Sequence, residues 1–194
     1  MKSINRESLS YINAVTGARK YLLERCSTQL RQLCVVGRGA AVGPNSYNSK
    51  TGCTLIAVYV DDIVDNLDAL YALFRMHSDM SKTSDRPARL IRNDLINAGI
   101  DRNRIQCKYL DVDYNNIEKD KHGVAATPIE RIACEWLDYK WTGGLSHSAL
   151  YEHETGTRLG HKGGRAVPDG IRENGDALEV KCIRGRTTYI SDCK

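Results

Sequence analysis

The chain has 194 residues, 41% hydrophobic and 27% charged, with a formal net charge of +4. That mix is ordinary for a soluble globular protein of one compact domain or two small lobes, and no apolar run approaches the ~20 residues of a membrane span. The opening MKSINRESLSYINAV lacks the apolar segment of a secretory signal, and seven cysteines without CxxC pairs fit neither a disulfide framework nor a zinc ribbon. A reducing cytoplasm is the expected setting.

The charge is mild in sum but uneven. Arg158, Lys162, Arg165, Arg172, Lys181, Arg184 and Arg186 crowd one segment together with His161. Cations beside acidic groups suit an enzyme that holds a polyanion and still binds a metal, although a solvated basic face has the same composition.

In chain order, residues 7–35 carry apolar residues at helical spacing and predict one helix. GRGAAVGPNSYNSKTG reads as a loop, and CTLIAVYV (53–60) as a buried strand. Asp65 or Asn66 can cap a helix whose apolar stripe is Leu67, Leu70, Tyr71, Leu73 and Phe74. Pro87 opens a further helix closed by Gly99, and IQCKYLDV (105–112) is a second strand. Polar residues 113–126 mark the expected boundary between an N-terminal α/β lobe (1–120), for recognition or dimerisation, and a C-terminal core (121–194).

Thr127-Pro128-Ile129-Glu130 is a helix start with the capping-box pattern, and the helix is expected to run to about Trp141 and stop at Gly143-Gly144. SALYEHE, GGRAVPDGIR and DALEVKCIRG follow as three short strands separated by glycine-containing turns.

Hydrolysis of a phosphodiester needs a divalent metal to neutralise phosphate oxygens and lower the pKa of the attacking water. Magnesium takes hard oxygen ligands, usually one or two carboxylates plus waters, and a lysine nearby can stabilise developing charge. Asp169, Glu179 and Lys181 supply these groups if one face holds them all. A two-residue Asn-Gly turn would set Asp169 across from Val180, on the wrong face. A three-residue loop, Glu173-Asn174-Gly175, with Gly175 left-handed, pairs Arg172 with Asp176 and Asp169 with Glu179. Lys181 then shares the face of Glu179, while Leu178, Val180 and Cys182 face the core.

Pro168-Asp169-Gly170, a short hairpin and Glu179-Val180-Lys181 together resemble the motif of the PD-(D/E)XK nucleases, a superfamily of restriction endonucleases, junction resolvases and phage and repair nucleases. The resemblance covers about residues 127–186. It implies an α/β fold with a restriction-endonuclease-like core and a magnesium-dependent endonuclease, with manganese able to substitute. Asp169 and Glu179 would be metal ligands, and Lys181 would lie beside the attacking water. Many members carry one more acid on the first core helix. Here Glu130 borders the apolar stripe Ile129, Ile132, Ala133, Trp136 and Leu137, whereas Glu135 lies opposite, so Glu130 is the candidate third ligand and catalytic acid. A capping role alone would also account for it. Glu152 and Glu154 are further acidic candidates.

Arg158, His161, Lys162, Arg165, Arg184 and Arg186 are the candidates for contact with nucleic acid, expected to be double-stranded DNA. The alternative is a nucleic-acid-binding module whose core has lost catalysis. The superfamily core continues after its lysine strand with a helix and a further strand, for which 13 residues after Lys181 leave little room. The N-terminal lobe, a second subunit or a longer chain could complete the sheet, and a homodimer is expected.

Two other motifs were weighed. Tyr59-Val60-Asp61-Asp62 resembles the YVDD box of reverse transcriptases, but the match stands alone in a pattern that offers no palm. Gly37-Arg38-Gly39 lacks the lysine and glycine order of a phosphate cradle and reads as a loop.

Overall fold

The computed structural model describes residues 6–26, 29–42, 52–74, 87–111, 126–142 and 168–182. Helix α1 (Leu9–Cys26) leads into strand β1 (Leu30–Arg38), and β2 (Cys53–Tyr59) runs directly into the short helix α2 (Val60–Ile63). Helices α3 (Leu67–Phe74) and α4 (Ala88–Asn97), a 3₁₀ turn (Arg102–Arg104) and β3 (Gln106–Leu110) follow. The last elements are α5 (Ala126–Leu137), β4 (Lys140–Trp141), β5 (Gly170–Ile171) and β6 (Ala177–Cys182). None of the described helices is long and apolar enough to cross a membrane.

The strands form one mixed sheet in the order β3-β2-β1-β6-β5-β4. β1 is antiparallel to β2 and parallel to β6; the β2–β3, β5–β6 and β4–β5 pairs are antiparallel. Segments from both ends of the chain therefore share one sheet, and the strand flanking the Glu179 strand is β1 of the same chain. The boundary expected near 113–126 lies outside the described residues.

β1 corrects the single helix expected over 7–35. α1 keeps a buried stripe at Tyr11, Val15, Ala18 and Leu22, but Gln29 takes φ 58° and turns the chain into a strand. The apolar run Leu33–Val36 is only four residues long, and periodicity alone cannot tell so short a run from buried helix. β1 is central and buried on both faces. Leu33 and Val35 join Ile56, Val58 and helices α1, α3 and α4 on one side, while Cys34 and Val36 join Leu55, Ala57, Leu178, Val180 and α5 on the other. The result is three layers, with a helical core on each face of the sheet.

Asn66 does cap α3, its Oδ1 accepting the Ala69 N–H at 3.0 Å. α4 begins after Pro87 and is followed by Gly99 at φ 93°. Gly37 belongs to β1 rather than to a loop: a Cβ there would lie 2.5 Å from Ala88 Cα, so its missing side chain lets α4 start against the sheet. Asp61 and Asp62 lie on α2, ion-paired with Arg31 and Arg104, an arrangement unlike a palm hairpin.

α5 ends at Leu137, short of the expected Trp141. Asp138 takes φ 60°, the Tyr139 N–H returns to Cys134 O at 2.8 Å, and the chain leaves as β4. This is a left-handed helix stop made with Asp instead of the usual Gly, which hid it from the sequence reading. Arg172 completes it, donating through Nη2 to Leu137 O at 2.6 Å and through Nε to Asp138 O at 3.0 Å. A cation on the last carbonyls also suits the negative end of the helix.

Candidate active site

The hairpin between β5 and β6 has the three-residue loop. Gly170 pairs with Leu178 and Ile171 with Ala177, and the ladder ends there; continued by one residue, this register would set Asp169 opposite Glu179. The Arg172 N–H donates to Asp176 O at 2.9 Å and the Gly175 N–H to Arg172 O at 2.9 Å, with Gly175 at φ 86°. Leu178 and Val180 face the α5 core as expected; the Cys182 side chain lies outside the described residues. A Cβ at Gly175 would stand 2.5 Å from Gln29 Oε1, the movable tip of an exposed side chain. Gly175→Val is therefore expected to lower stability by ~1–3 kcal/mol, and Gly175→Asn by clearly less, because asparagine tolerates the left-handed region. Equal melting temperatures for the two variants would contradict this account of the turn.

Where β5 parts from β6, the Asp169 side chain takes over the ladder: its Oδ2 accepts the Val180 N–H at 2.7 Å. Its backbone is held equally firmly. Asp169 O accepts the Thr142 N–H at 3.0 Å and the Cys134 thiol at 3.4 Å, and Thr142 Oγ1 donates to Pro168 O at 2.5 Å. On β6, Lys181 Nζ lies 2.6 Å from Glu179 Oε1, with the glutamate side chain 3% exposed and the lysine 19%. Both sit beside β1, in register with Leu33 and Val35.

Glu130 is within electrostatic range of Asp169 and Cys134. Burial first, then the charges of Glu179 and Glu130, hold the Asp169 carboxyl well above the ordinary carboxylate range, against the opposing pull of Lys181 and the Val180 N–H. Cys134, one turn after Glu130 on α5, is pushed up to about 12 by burial and by the charges of Asp169 and Glu130. A thiol so protonated is no nucleophile; it serves as a donor to the Asp169 carbonyl. Glu135 is exposed on the far side of α5.

The structure sets Asp169, Glu179 and Lys181 at neighbouring positions at the start of β5 and on β6, with Glu179 and Lys181 on the sheet face away from α5; Glu130, on α5, is within electrostatic range of Asp169. Arg158, His161, Lys162, Arg165, Arg184 and Arg186, with Glu152 and Glu154, lie outside the described residues. The Thr127 side chain is also outside them, so the capping box has no structural account. Cys134, Thr142 and the neighbouring strand β1 were not singled out from sequence. Cys134 was findable from its four-residue spacing to Glu130; Thr142 carried no signal.

Among the described residues, no three acidic, histidine or cysteine side chains converge at metal-ligand distances. Asp169 and Glu179 offer hard oxygen donors of the kind a divalent cation takes. The Asp169 carboxyl is raised chiefly by burial, with smaller contributions from the charges of Glu179 and Glu130. Comparison with protein-family models, curated proteins and solved structures found no match.

Proposed function

We propose that the chain is a divalent-metal-dependent nuclease with a restriction-endonuclease-like core. The observation that carries this reading is Asp169, next to a bulged hairpin whose register runs on to Glu179, with Lys181 against Glu179 and Glu130 close enough to raise the Asp169 carboxyl. The sheet supports it as well. The superfamily places a helix and a strand after its lysine strand; here α1 and β1, from the other end of the chain, put a parallel strand beside β6.

Asp169 and Glu179 would hold the cation, with Glu130 as the third acid. When bound, a divalent cation neutralises the phosphate oxygens and lowers the pKa of the attacking water. Lys181, held 2.6 Å from Glu179, would orient the attacking water and offset the charge that builds on the phosphate. The Val180 N–H keeps Asp169 aimed throughout, so little reorganisation remains for the moment of reaction. Cutting both strands of a duplex would call for two such sites, hence a homodimer.

The test is incubation with supercoiled, linear and branched DNA and with RNA. Cleavage is expected with magnesium or manganese, none in excess chelator, and binding without cleavage in calcium. Cleavage that survives chelation would overturn the proposal; binding without cleavage in any metal would favour a module that has lost catalysis. Glu130→Gln is expected to lower turnover roughly 100-fold without lowering the melting temperature, and Glu135→Gln to change neither. Full activity in Glu130→Gln would reduce Glu130 to a structural residue.

A further inference from the structure

A second feature lies on the α5 face of the sheet, at the other end of that helix. A cavity of about 450 Å³ opens between the end of α5 and strands β1 to β3, lined by Gln32, Tyr59, Gln106, Cys107, Trp136, Leu137, Asp138 and Arg172. That volume is within the range of small-molecule sites. Its chemistry is mixed in a particular way: two aromatic rings, two primary amides and one carboxylate inside, with arginines at the rim.

Gln32 is buried, yet central strands rarely bury a glutamine without use for it. Its Oε1 accepts the Tyr139 hydroxyl at 2.9 Å, which fixes the amide and leaves its N–H pair as the group it has to offer a ligand. Tyr59 lies beside Gln32 in the β1–β2 register. Gln106, on β3, adds a second amide with both a donor and an acceptor. Asp138 adds an acceptor at the helix end, so the interior suits an uncharged ring bearing N–H and carbonyl groups better than a phosphate. The phosphate contacts belong at the edge. Arg104 lies 4.6 Å and Arg31 5.5 Å from the centre of the Tyr59 ring, and both are held by exposed aspartate pairs that a phosphate can displace cheaply.

We propose that this cavity is a nucleobase pocket, taking one unstacked base of a bound nucleic-acid strand. The link to cleavage rests on the nuclease reading; base binding itself does not. Gln32 pairs with Leu178, the residue before Glu179, so the pocket borders β6 on the sheet face that α5 covers, opposite the face that Glu179 and Lys181 share. Stacking on Trp136 and Tyr59 supplies affinity, and the amides supply selectivity among bases.

The experiment titrates the full-length protein in chelator with nucleoside monophosphates, reading Trp136 fluorescence in a Trp141→Phe background, since the chain has two tryptophans. Saturable quenching at millimolar concentration is expected, stronger for some bases than others, and absent with ribose 5-phosphate, which has no base. Tyr59→Leu is expected to weaken binding roughly tenfold and the partly exposed Gln106→Ala roughly fivefold, whereas Asp169→Asn leaves it unchanged. No saturable quenching by any monophosphate, equal quenching by ribose 5-phosphate, or wild-type affinity in both pocket variants of native circular dichroism would each overturn the proposal. Because the titration runs without metal, loss of base binding and loss of cleavage are read separately. For the link to cleavage, a single abasic residue in the strand that is cut should slow turnover in the wild type. If no position does so, the pocket does not serve the carboxylate site.

Discussion

Asp169→Asn is expected to abolish metal-dependent cleavage and, in chelator at pH 8, to raise the melting temperature. The amide keeps an oxygen for the Val180 N–H, so the hairpin loses nothing in geometry. It removes a buried carboxyl that lies near the charges of Glu179 and Glu130. The sign of the pH dependence follows. A carboxyl held above its unfolded pKa gives stability that is fully present below the unfolded value and lost as pH rises through the folded one. Wild-type protein should therefore match Asp169→Asn near pH 4 and fall progressively behind it toward pH 8. Each kcal/mol relieved corresponds to about 2–4 °C in a chain of this size. Magnesium should raise the melting temperature of the wild type at pH 8 and leave the variant where it is. A variant less stable than wild type at pH 8 without metal would show that the carboxylate is held by favourable contacts, and the case for stored repulsion would fall.

The hairpin was legible from sequence because two constraints met on few residues. Period-two alternation and the demand that Asp169 face Glu179 left one loop length, and Gly175 at the position that needed it made that loop possible. Asn66 and Gly99 were legible for the same reason: short-range chemistry fixed them. β1 was not. A strand buried on both faces loses its alternation, and its partners Ala177–Cys182 lie some 150 positions away, beyond any local signal. The stop of α5 was hidden by Asp138 in a conformation that sequence reading assigns to glycine. The apolar stripe of α5 was legible on a helical wheel, and Ile129, Ala133, Cys134 and Leu137 pack against the sheet.

That packing depends on Gly170, and here the second large effect is expected. A Cβ at Gly170 would stand 2.7 Å from Cys134 Sγ and 2.9 Å from Tyr139 Cβ. Neither neighbour can swing aside: the thiol is buried and donates to Asp169 O, and the Tyr139 Cβ is fixed by the turn that ends α5. Gly170 is thus what lets α5 lie close against β5, with Glu130 within electrostatic range of Asp169. Gly170→Ala is expected to cost ~1–3 kcal/mol through overpacking, and Gly170→Val more. Activity should suffer beyond stability, since parting α5 from β5 by about 1 Å separates the acids and can slow the reaction roughly 100-fold. Cys134→Ala removes the nearer obstacle, so Gly170→Ala/Cys134→Ala should be more stable than the sum of the single changes predicts, a coupling that a double-mutant cycle measures directly. Tyr139 Cβ remains in the way, so recovery should be partial. Additive losses, or full cleavage by Gly170→Val at a temperature where it is folded, would mean that the close approach of α5 to β5 does not set the distance between Glu130 and Asp169.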